Sequence, residues 1–143
     1  MSLLLALLSE LPVALLLLAL CVTIHAAGLT AALHWTRRWA VPGEERIWPF
    51  ARMLIGVAGW SVLLHLVQIA LWAFVYTEGQ ALPDLRTALY FSVVTYTTTG
   101  YGDLVLPPHW RLVGGVEALT GILMCGLSTG FFFATAQRGI DRK

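Results

Sequence analysis

The stretch of the sequence with the clearest chemical potential runs from Thr97 to Asp103 and reads Thr-Thr-Thr-Gly-Tyr-Gly-Asp. Gly100 and Gly102 stand at alternate positions, and glycine adopts a positive φ without steric cost. An extended strand whose backbone alternates in handedness can turn successive carbonyl groups to one side. Four such strands around an axis would form stacked rings of carbonyl oxygens, which can replace the hydration shell of a large monovalent cation. The run therefore predicts a backbone that binds cations.

Composition excludes several other classes of protein. Of the 143 residues, 58% are hydrophobic and only 12% are charged, whereas a soluble domain is about 45–50% apolar and about 25% charged. The net charge is +1, and no basic run indicates binding to nucleic acid. Cys21 and Cys125 form neither a disulfide framework nor a metal motif. With no ATP-binding motif, no catalytic triad and no carboxylate pair, we expect a membrane protein that is not an enzyme.

A short helix precedes the glycine-containing run. Asp84 follows a proline and is a suitable N-cap, which predicts a helix over 84–97. Its helical part would be about 20 Å long, too short to cross about 30 Å of hydrocarbon. Its residues are nevertheless too apolar for a water-exposed loop. These properties predict a re-entrant helix that enters the membrane from outside, with its negative C-terminal dipole toward the cation.

Three uncharged runs are long enough to cross a membrane, and they divide the chain. The ranges are a transmembrane helix within 1–36, a loop over 37–51, an outer helix over 52–77, an inner helix over 111–137 and a tail over 139–143. The segment before Leu11 lacks Lys and Arg, so we expect the first run to be a retained helix and not a signal peptide. The predicted fold is an all-α membrane protein with three transmembrane helices and one re-entrant helix per chain.

The basic residues predict the orientation. Two of the nine, Arg86 and Arg111, fall between the second and third spans. The other seven lie on one side, which the positive-inside rule assigns to the cytoplasm. They are Arg37, Arg38, Arg46, Arg52, Arg138, Arg142 and Lys143. The N-terminus is then expected outside and the C-terminus in the cytoplasm.

The segment from Tyr90 to Asp103 resembles the pore helix and selectivity filter of the potassium channel superfamily. Within it, Thr98 to Asp103 is similar to the signature Thr-Val-Gly-Tyr-Gly-Asp. The stretch Trp110 to Val113, followed by Gly121, resembles the inner helix of bacterial two-helix channels and its hinge glycine. The resemblance covers 52–138, a pore domain, and leaves the first helix as an addition.

The resemblance implies potassium conduction through a homotetramer in a bacterial plasma membrane, with K⁺ as the only bound species and no other cofactor. A single chain has one filter strand, so a ring of four requires four chains. The implied K⁺ ligands are the carbonyls of Thr98, Thr99, Gly100 and Tyr101, with Gly102 completing the filter. The residues implied in gating or in lining the cavity are Gly121, Ile122, Cys125, Thr129 and Phe133.

The sequence departs from the family pattern at two positions, and two alternatives to a potassium-selective channel stay open. Thr99 replaces the usual Val and adds a hydroxyl group behind the filter, so a weakly selective cation channel is the first alternative. Tyr90 replaces a Trp that bonds the filter Asp in many members, although a Tyr hydroxyl could still reach Asp103. A non-conducting, pore-like subunit or membrane scaffold is the second alternative.

Buried polar residues supply further candidates. Glu117 is the only acid within a proposed span, and we expect it to brace the pore helix through Thr95, the Tyr96 hydroxyl or Gln68. The alternative is a glutamate that reaches outward to water. A polar and aromatic stripe on the second span is expected to face inward and bond across helices. Its members are Ser61, His65, Gln68 and Trp72. Metal or haem binding by His25 and His65 is the other possibility.

Overall fold

The structure, a computed structural model, describes the backbone of residues 3–38 and 47–140 and the side chains of 11–36 and 47–137. Its helices are α1 (Leu3–Arg38), α2 (Ile47–Glu78), α3 (Leu85–Tyr96) and α4 (Arg111–Ile140), with a 3-10 turn at Pro108–Trp110. These described ranges contain helices, turns and loops and no strand in a sheet. The predicted all-α class is therefore confirmed.

Three of the helices are long and apolar enough to cross a membrane. The spans are Leu11–Thr36, Ile47–Glu78 and Pro108–Gln137, with mean hydropathies of 2.2, 1.9 and 1.6. By contrast, α3 has 12 residues and is about 18 Å long at the usual helical rise, so it cannot cross. The protein is thus a multi-pass membrane protein with one short helix between its second and third spans.

Helix boundaries differ from the predicted ones mainly on the side opposite α3. The outer helix begins at Ile47 instead of Arg52. Pro49 is tolerated in its first turn, where a missing N–H loses no helical hydrogen bond. Both α1 and α4 also run slightly further than predicted, to Arg38 and Ile140. The rest of the predicted loop and tail, 39–46 and 141–143, lies outside the described residues.

The core lies where α3 packs between α2 and α4. Trp72 and Tyr76 from α2, Tyr96 from α3 and Met124 from α4 are its largest fully buried apolar side chains. Helix α1 packs against both α2 and α4, and its Cys21 is fully buried there. The first helix is consequently part of the same packed unit and not a detached anchor.

Candidate functional site

The outer end of α3 is fixed by a side-chain cap. Asp84 has an extended backbone, and its two carboxylate oxygens accept hydrogen bonds from the Thr87 N–H at 2.9 Å and the Thr87 hydroxyl at 2.8 Å. The Thr87 N–H bond holds the pKa of the Asp84 carboxyl below its ordinary value. The predicted N-cap is therefore confirmed, and α3 begins where the sequence indicated.

The amide groups after α3 turn back onto the end of that helix. The Thr98 N–H donates to the Thr95 carbonyl at 2.9 Å, and the N–H groups of Thr99 and Gly100 donate to the Val94 carbonyl at 2.9 and 3.2 Å. In a trans peptide the carbonyl of one residue points opposite to the N–H of the next. The described residues contain no cis peptide bond. The carbonyls of residues 97, 98 and 99 therefore point away from α3, on the open side of the strand.

Alternating backbone handedness extends over three positions. Gly100 and Gly102 have φ values of +54° and +78°, as their spacing predicts, and Thr98 has φ of +58°. Sequence reasoning did not predict the positive φ of Thr98, because a β-branched residue rarely adopts this conformation. Such a conformation costs on the order of 1–3 kcal/mol and persists only where neighbouring structure enforces it. The hydrogen bond from Thr98 N–H to Thr95 is part of that enforcement.

The additional hydroxyl at Thr99 is held behind the strand. The Thr97 hydroxyl donates to the Val93 carbonyl at 2.7 Å. Its oxygen lies 2.9 Å from the Thr99 hydroxyl oxygen, so Thr99 supplies the proton of that second bond. The Thr99 side chain is thereby linked, through Thr97, to the last turn of α3.

The outer mouth of the strand is tied to α3 by Tyr90. Its hydroxyl donates to Asp103 Oδ2 at 2.6 Å, which is the contact the sequence predicted. Because the phenol donates to a carboxylate, the pKa of Tyr90 is raised above its ordinary value. Both side chains are exposed, so the bond lies at the water-facing end of the strand.

Comparison with known proteins agrees with this geometry. A family model described as "Ion channel" matches residues 62–138, which is more than half of the sequence and includes all of α3, the strand and most of α4. The chain belongs to this ion channel family.

The channel is also similar to a curated relative. It is 36% identical over 80 residues to the Potassium voltage-gated channel protein shk-1 of Caenorhabditis elegans. The alignment covers 50% of the channel and 15% of that relative, so the channel spans a small part of the relative's length. No solved structure gives a significant match. The predicted membership of the potassium channel superfamily is confirmed.

The predicted filter and one face of α4 are exposed in the single chain. Every residue from Thr97 to Asp103 is exposed, and Tyr101 is 72% exposed. The residues predicted to line the cavity share the exposed face of α4, at spacings of three, four and four positions. They are Ile122, Cys125, Thr129 and Phe133. Among the residues predicted for gating, Gly121 alone is buried.

Gly121 lies where α4 crosses the inner end of α3. A Cβ atom at this position would overlap the carbonyl oxygen of Tyr96. The helices approach so closely that only glycine fits, which is a packing reason for the residue. Sequence reasoning identified the position as a hinge, and the close approach is a feature that only the packing reveals.

Glu117 faces α3, but through a partner other than those predicted. Its Oε2 accepts a hydrogen bond from the Tyr76 hydroxyl of α2 at 2.8 Å, and Ser92 of α3 lies beside the carboxyl group. The prediction of Thr95, Tyr96 or Gln68 as donor is wrong. On α4, Glu117 lies four residues before Gly121, and on α3, Ser92 lies four residues before Tyr96. The carboxyl group of Glu117 therefore lies about 6 Å nearer the outer end of α3 than the contact between Gly121 and Tyr96.

The predicted stripe on α2 faces inward. Ser61, Gln68 and Trp72 are buried and His65 is half-buried. His65 and Gln68 form hydrogen bonds to other helices, as predicted, whereas the Ser61 hydroxyl bonds to the Val57 carbonyl of its own helix. All four ring nitrogens of His65 and His25 have hydrogen-bond partners. This arrangement favours cross-helix bonding over the metal or haem alternative.

Proposed function

We propose that the protein is a potassium-selective channel that conducts K⁺ passively. The observation that carries the proposal is the backbone after α3, where three amide groups bond back to the helix and turn three carbonyls to the open side. Positive φ at every second residue continues the pattern through Gly102. Oxygens arranged in this way can replace the water around a dehydrated K⁺ ion.

In this proposal the K⁺ ligands are the carbonyl oxygens of Thr98, Thr99, Gly100 and Tyr101, and the Thr98 hydroxyl closes the innermost site. Several sites in one file allow an ion that enters to displace the next one. The protein requires no cofactor in this scheme, because the ion is its cargo and the coordinating atoms belong to the backbone. Asp103 and Tyr90 support the outer mouth of the filter.

We propose that four copies of the chain surround the conduction path. One chain supplies a single filter strand, and that strand is exposed along its whole length. Large apolar side chains of α4 are also exposed in the single chain, among them Leu119, Ile122 and Phe133. Exposed apolar surface of this extent beside an exposed filter suits contact with other copies around a closed symmetry axis.

The Thr99 hydroxyl favours the potassium-selective function over the weakly selective alternative. Its proton is used in the bond to Thr97, and Thr97 is in turn bonded to α3. A hydroxyl held in this way fixes the back of the strand and leaves the carbonyl oxygens as the ion-facing atoms. The substitution of Thr for Val therefore adds a brace behind the filter and no polar group within it.

The charge distribution supports a specific orientation in the plasma membrane, which in a bacterial cell is the inner membrane. Seven of the nine basic residues lie either between positions 37 and 52, around the connection of α1 to α2, or at position 138 and beyond, after the α4 span, and basic residues favour the cytoplasmic side. The N-terminus and the filter's outer mouth then face outside. K⁺ would pass from that mouth to a cytoplasmic exit lined by the exposed face of α4.

Flux through liposomes tests the proposal directly. We expect the purified full chain to pass K⁺ and Rb⁺, to exclude Na⁺ and to be blocked by Ba²⁺. Gly100→Ala should abolish flux because alanine at a φ of +54° is strained. Gly59→Ala is the matched control, since a Cβ atom there meets nothing within 4 Å. Equal flux of Na⁺ and K⁺ would contradict the proposal in favour of a weakly selective cation channel. No flux would contradict it in favour of a non-conducting subunit or membrane scaffold.

A further inference from the structure

Five polar side chains form a closed ring of hydrogen bonds beneath the filter. The ring takes His25 from α1, His65 and Gln68 from α2, Tyr96 from α3 and Ser128 from α4. Its distances are 2.9 Å for His25–Ser128, 3.1 Å for Ser128–His65, 3.1 Å for His65–Tyr96, 2.8 Å for Tyr96–Gln68 and 2.9 Å for Gln68–His25. One set of bonds therefore joins all four helices, and we call it the polar ring.

One arrangement of protons satisfies every member of the polar ring. The Tyr96 hydroxyl donates to the Gln68 side-chain oxygen, so His65 Nδ1 must donate to the Tyr96 oxygen. His65 Nε2 is then an acceptor and takes the Ser128 proton. The Ser128 oxygen accepts from His25 Nε2, and His25 Nδ1 accepts from the Gln68 amide. All five donors point the same way around the ring, with both histidines neutral.

The polar ring reaches the filter through Tyr96. This residue is the last of α3, its hydroxyl belongs to the ring, and its backbone lies against Gly121. The carbonyls of Val94 and Thr95, just before it, accept the amide protons that orient the filter strand. A shift of Tyr96 therefore moves the acceptors on which the filter carbonyls depend.

We propose that the polar ring positions the filter and that protonation of His25 or His65 opens it and lowers K⁺ conduction. The inference rests on the proposed function. It assigns a positioning role to α1, which lies outside residues 62–138 of the family match, because His25 closes the ring. Without α1, Gln68 and Ser128 would each lose a ring partner.

Protonation opens the polar ring because the added N–H faces a group that already donates a proton to that imidazole. A second N–H on His25 would face the Gln68 amide, and one on His65 would face the Ser128 proton. The two imidazole rings are 5.1 Å apart, so a charge on one also disfavours a charge on the other. The other titratable groups around the ring are Cys21 from α1, Tyr96 from α3, and Cys125 and Glu117 from α4.

The experiment compares Rb⁺ uptake into K⁺-loaded liposomes at pH 8 and pH 4, using the assembled channel. Wild-type uptake should fall at pH 4 by roughly two- to tenfold, the range expected for loss of one net hydrogen bond. Ser128→Ala and Tyr96→Phe open the ring at every pH. Both should therefore reduce uptake at pH 8 by a similar factor and show a flatter pH profile. The double variant should match either single variant.

Ser61→Ala is the matched control. It removes the same atom from a side chain of similar burial, 8% against 9% exposed, but its hydroxyl bonds only within α2. It should retain both the uptake and the pH profile of the wild type. Ser128→Thr keeps a hydroxyl and should restore part of the pH dependence.

The outcomes separate this inference from the proposed function. No wild-type uptake at pH 8 overturns the proposed function and the inference with it. Wild-type uptake with an unchanged pH profile in Ser128→Ala and Tyr96→Phe overturns the inference alone, even if the amount of uptake falls. If neither variant assembled, the inference would also be overturned, since the polar ring would then be required for folding and not for the position of the filter.

Discussion

The two ends of α3, the proposed pore helix, are held in opposite ways. At the outer end, Asp84 caps the helix and Tyr90 bonds Asp103, and all three side chains are exposed. At the inner end, Tyr96 is 1% exposed, its backbone lies against Gly121 and its hydroxyl is a member of the polar ring. The strand over 97–103, the proposed filter, therefore follows a buried, closely packed residue and ends at a water-facing hydrogen bond.

The difference between the two ends of α3 indicates at which end a substitution disturbs the proposed filter less. Water can replace a lost partner at an exposed hydrogen bond, whereas a buried group deprived of its partner bears the full desolvation penalty. Tightly packed interiors also leave no room for an additional methyl group. We infer that the inner end sets the position of the filter and that the outer end adjusts its mouth.

The largest effect is expected from Gly121→Ala. The added Cβ atom would overlap the Tyr96 carbonyl oxygen, so α4 or the end of α3 must move. Overpacking of this kind typically costs about 1–3 kcal/mol, and more where backbone blocks the site. We expect loss of assembled channel, measured by size-exclusion chromatography and thermal stability in detergent.

Gly59→Ala is the control for that variant, because it adds the same atom to a membrane-spanning helix, α2, where nothing lies within 4 Å. It should assemble as the wild type does. A purely hinge-like role for Gly121 gives a different result, since Gly121→Ala would then assemble normally and alter only the opening of the channel.

An intermediate effect is expected from substitutions of Glu117, a residue of α4 that lies beside Ser92 of α3. Glu117→Ala leaves the fully buried Tyr76 hydroxyl without its acceptor, which costs about 1–3 kcal/mol. Glu117→Gln keeps an oxygen acceptor and should be milder. The effects of both substitutions are measured as changes in the thermal stability of the assembled channel at pH 5 and pH 8. If both variants match the wild type at both pH values, Glu117 does not brace the pore helix.

The local elements of this protein could be predicted from its sequence. Uncharged runs locate the spans, Asp84 marks the start of α3, and the glycines at 100 and 102 mark two of the three positive φ values in the strand that follows α3. These features depend on residues near one another in the chain. The contact of Tyr90 with Asp103 was predicted from the resemblance to the channel family, in which many members have a Trp at this position that bonds the filter Asp.

The partners across helices could not be predicted. Tyr76 bonds Glu117, and His25 reaches Ser128 across 103 positions of sequence. Such contacts depend on how α1, α2 and α4 are rotated and shifted against one another. The polar stripe shows which face of α2 turns inward, but it does not show which residues of α1 and α4 lie opposite that face. The close approach at Gly121 likewise depends on how α4 is placed against α3, so the sequence did not indicate it.

The smallest effect is expected at the outer mouth, from Tyr90→Phe. The variant removes the bond to Asp103, which is exposed to water, and leaves the buried contacts of α3 in place. We expect it to assemble and conduct K⁺, with a smaller loss of thermal stability than Glu117→Ala. Asp103→Asn, which keeps an oxygen acceptor for the Tyr90 hydroxyl, should be milder still.

The pH dependence of this contact has the opposite sign to that of the polar ring. The pKa of Tyr90 is raised above its ordinary value of 10.0 because its hydroxyl donates to Asp103. A raised phenol pKa means that the folded protein favours the protonated form. The contribution is therefore fully present below pH 10 and lost as the pH rises through the raised value. The stability difference between wild type and Tyr90→Phe should stay constant from pH 6 to pH 9 and narrow above pH 10. A difference that instead narrows toward pH 5, or a loss as large as that of Gly121→Ala, would show that the two ends of α3 do not differ as the structure indicates.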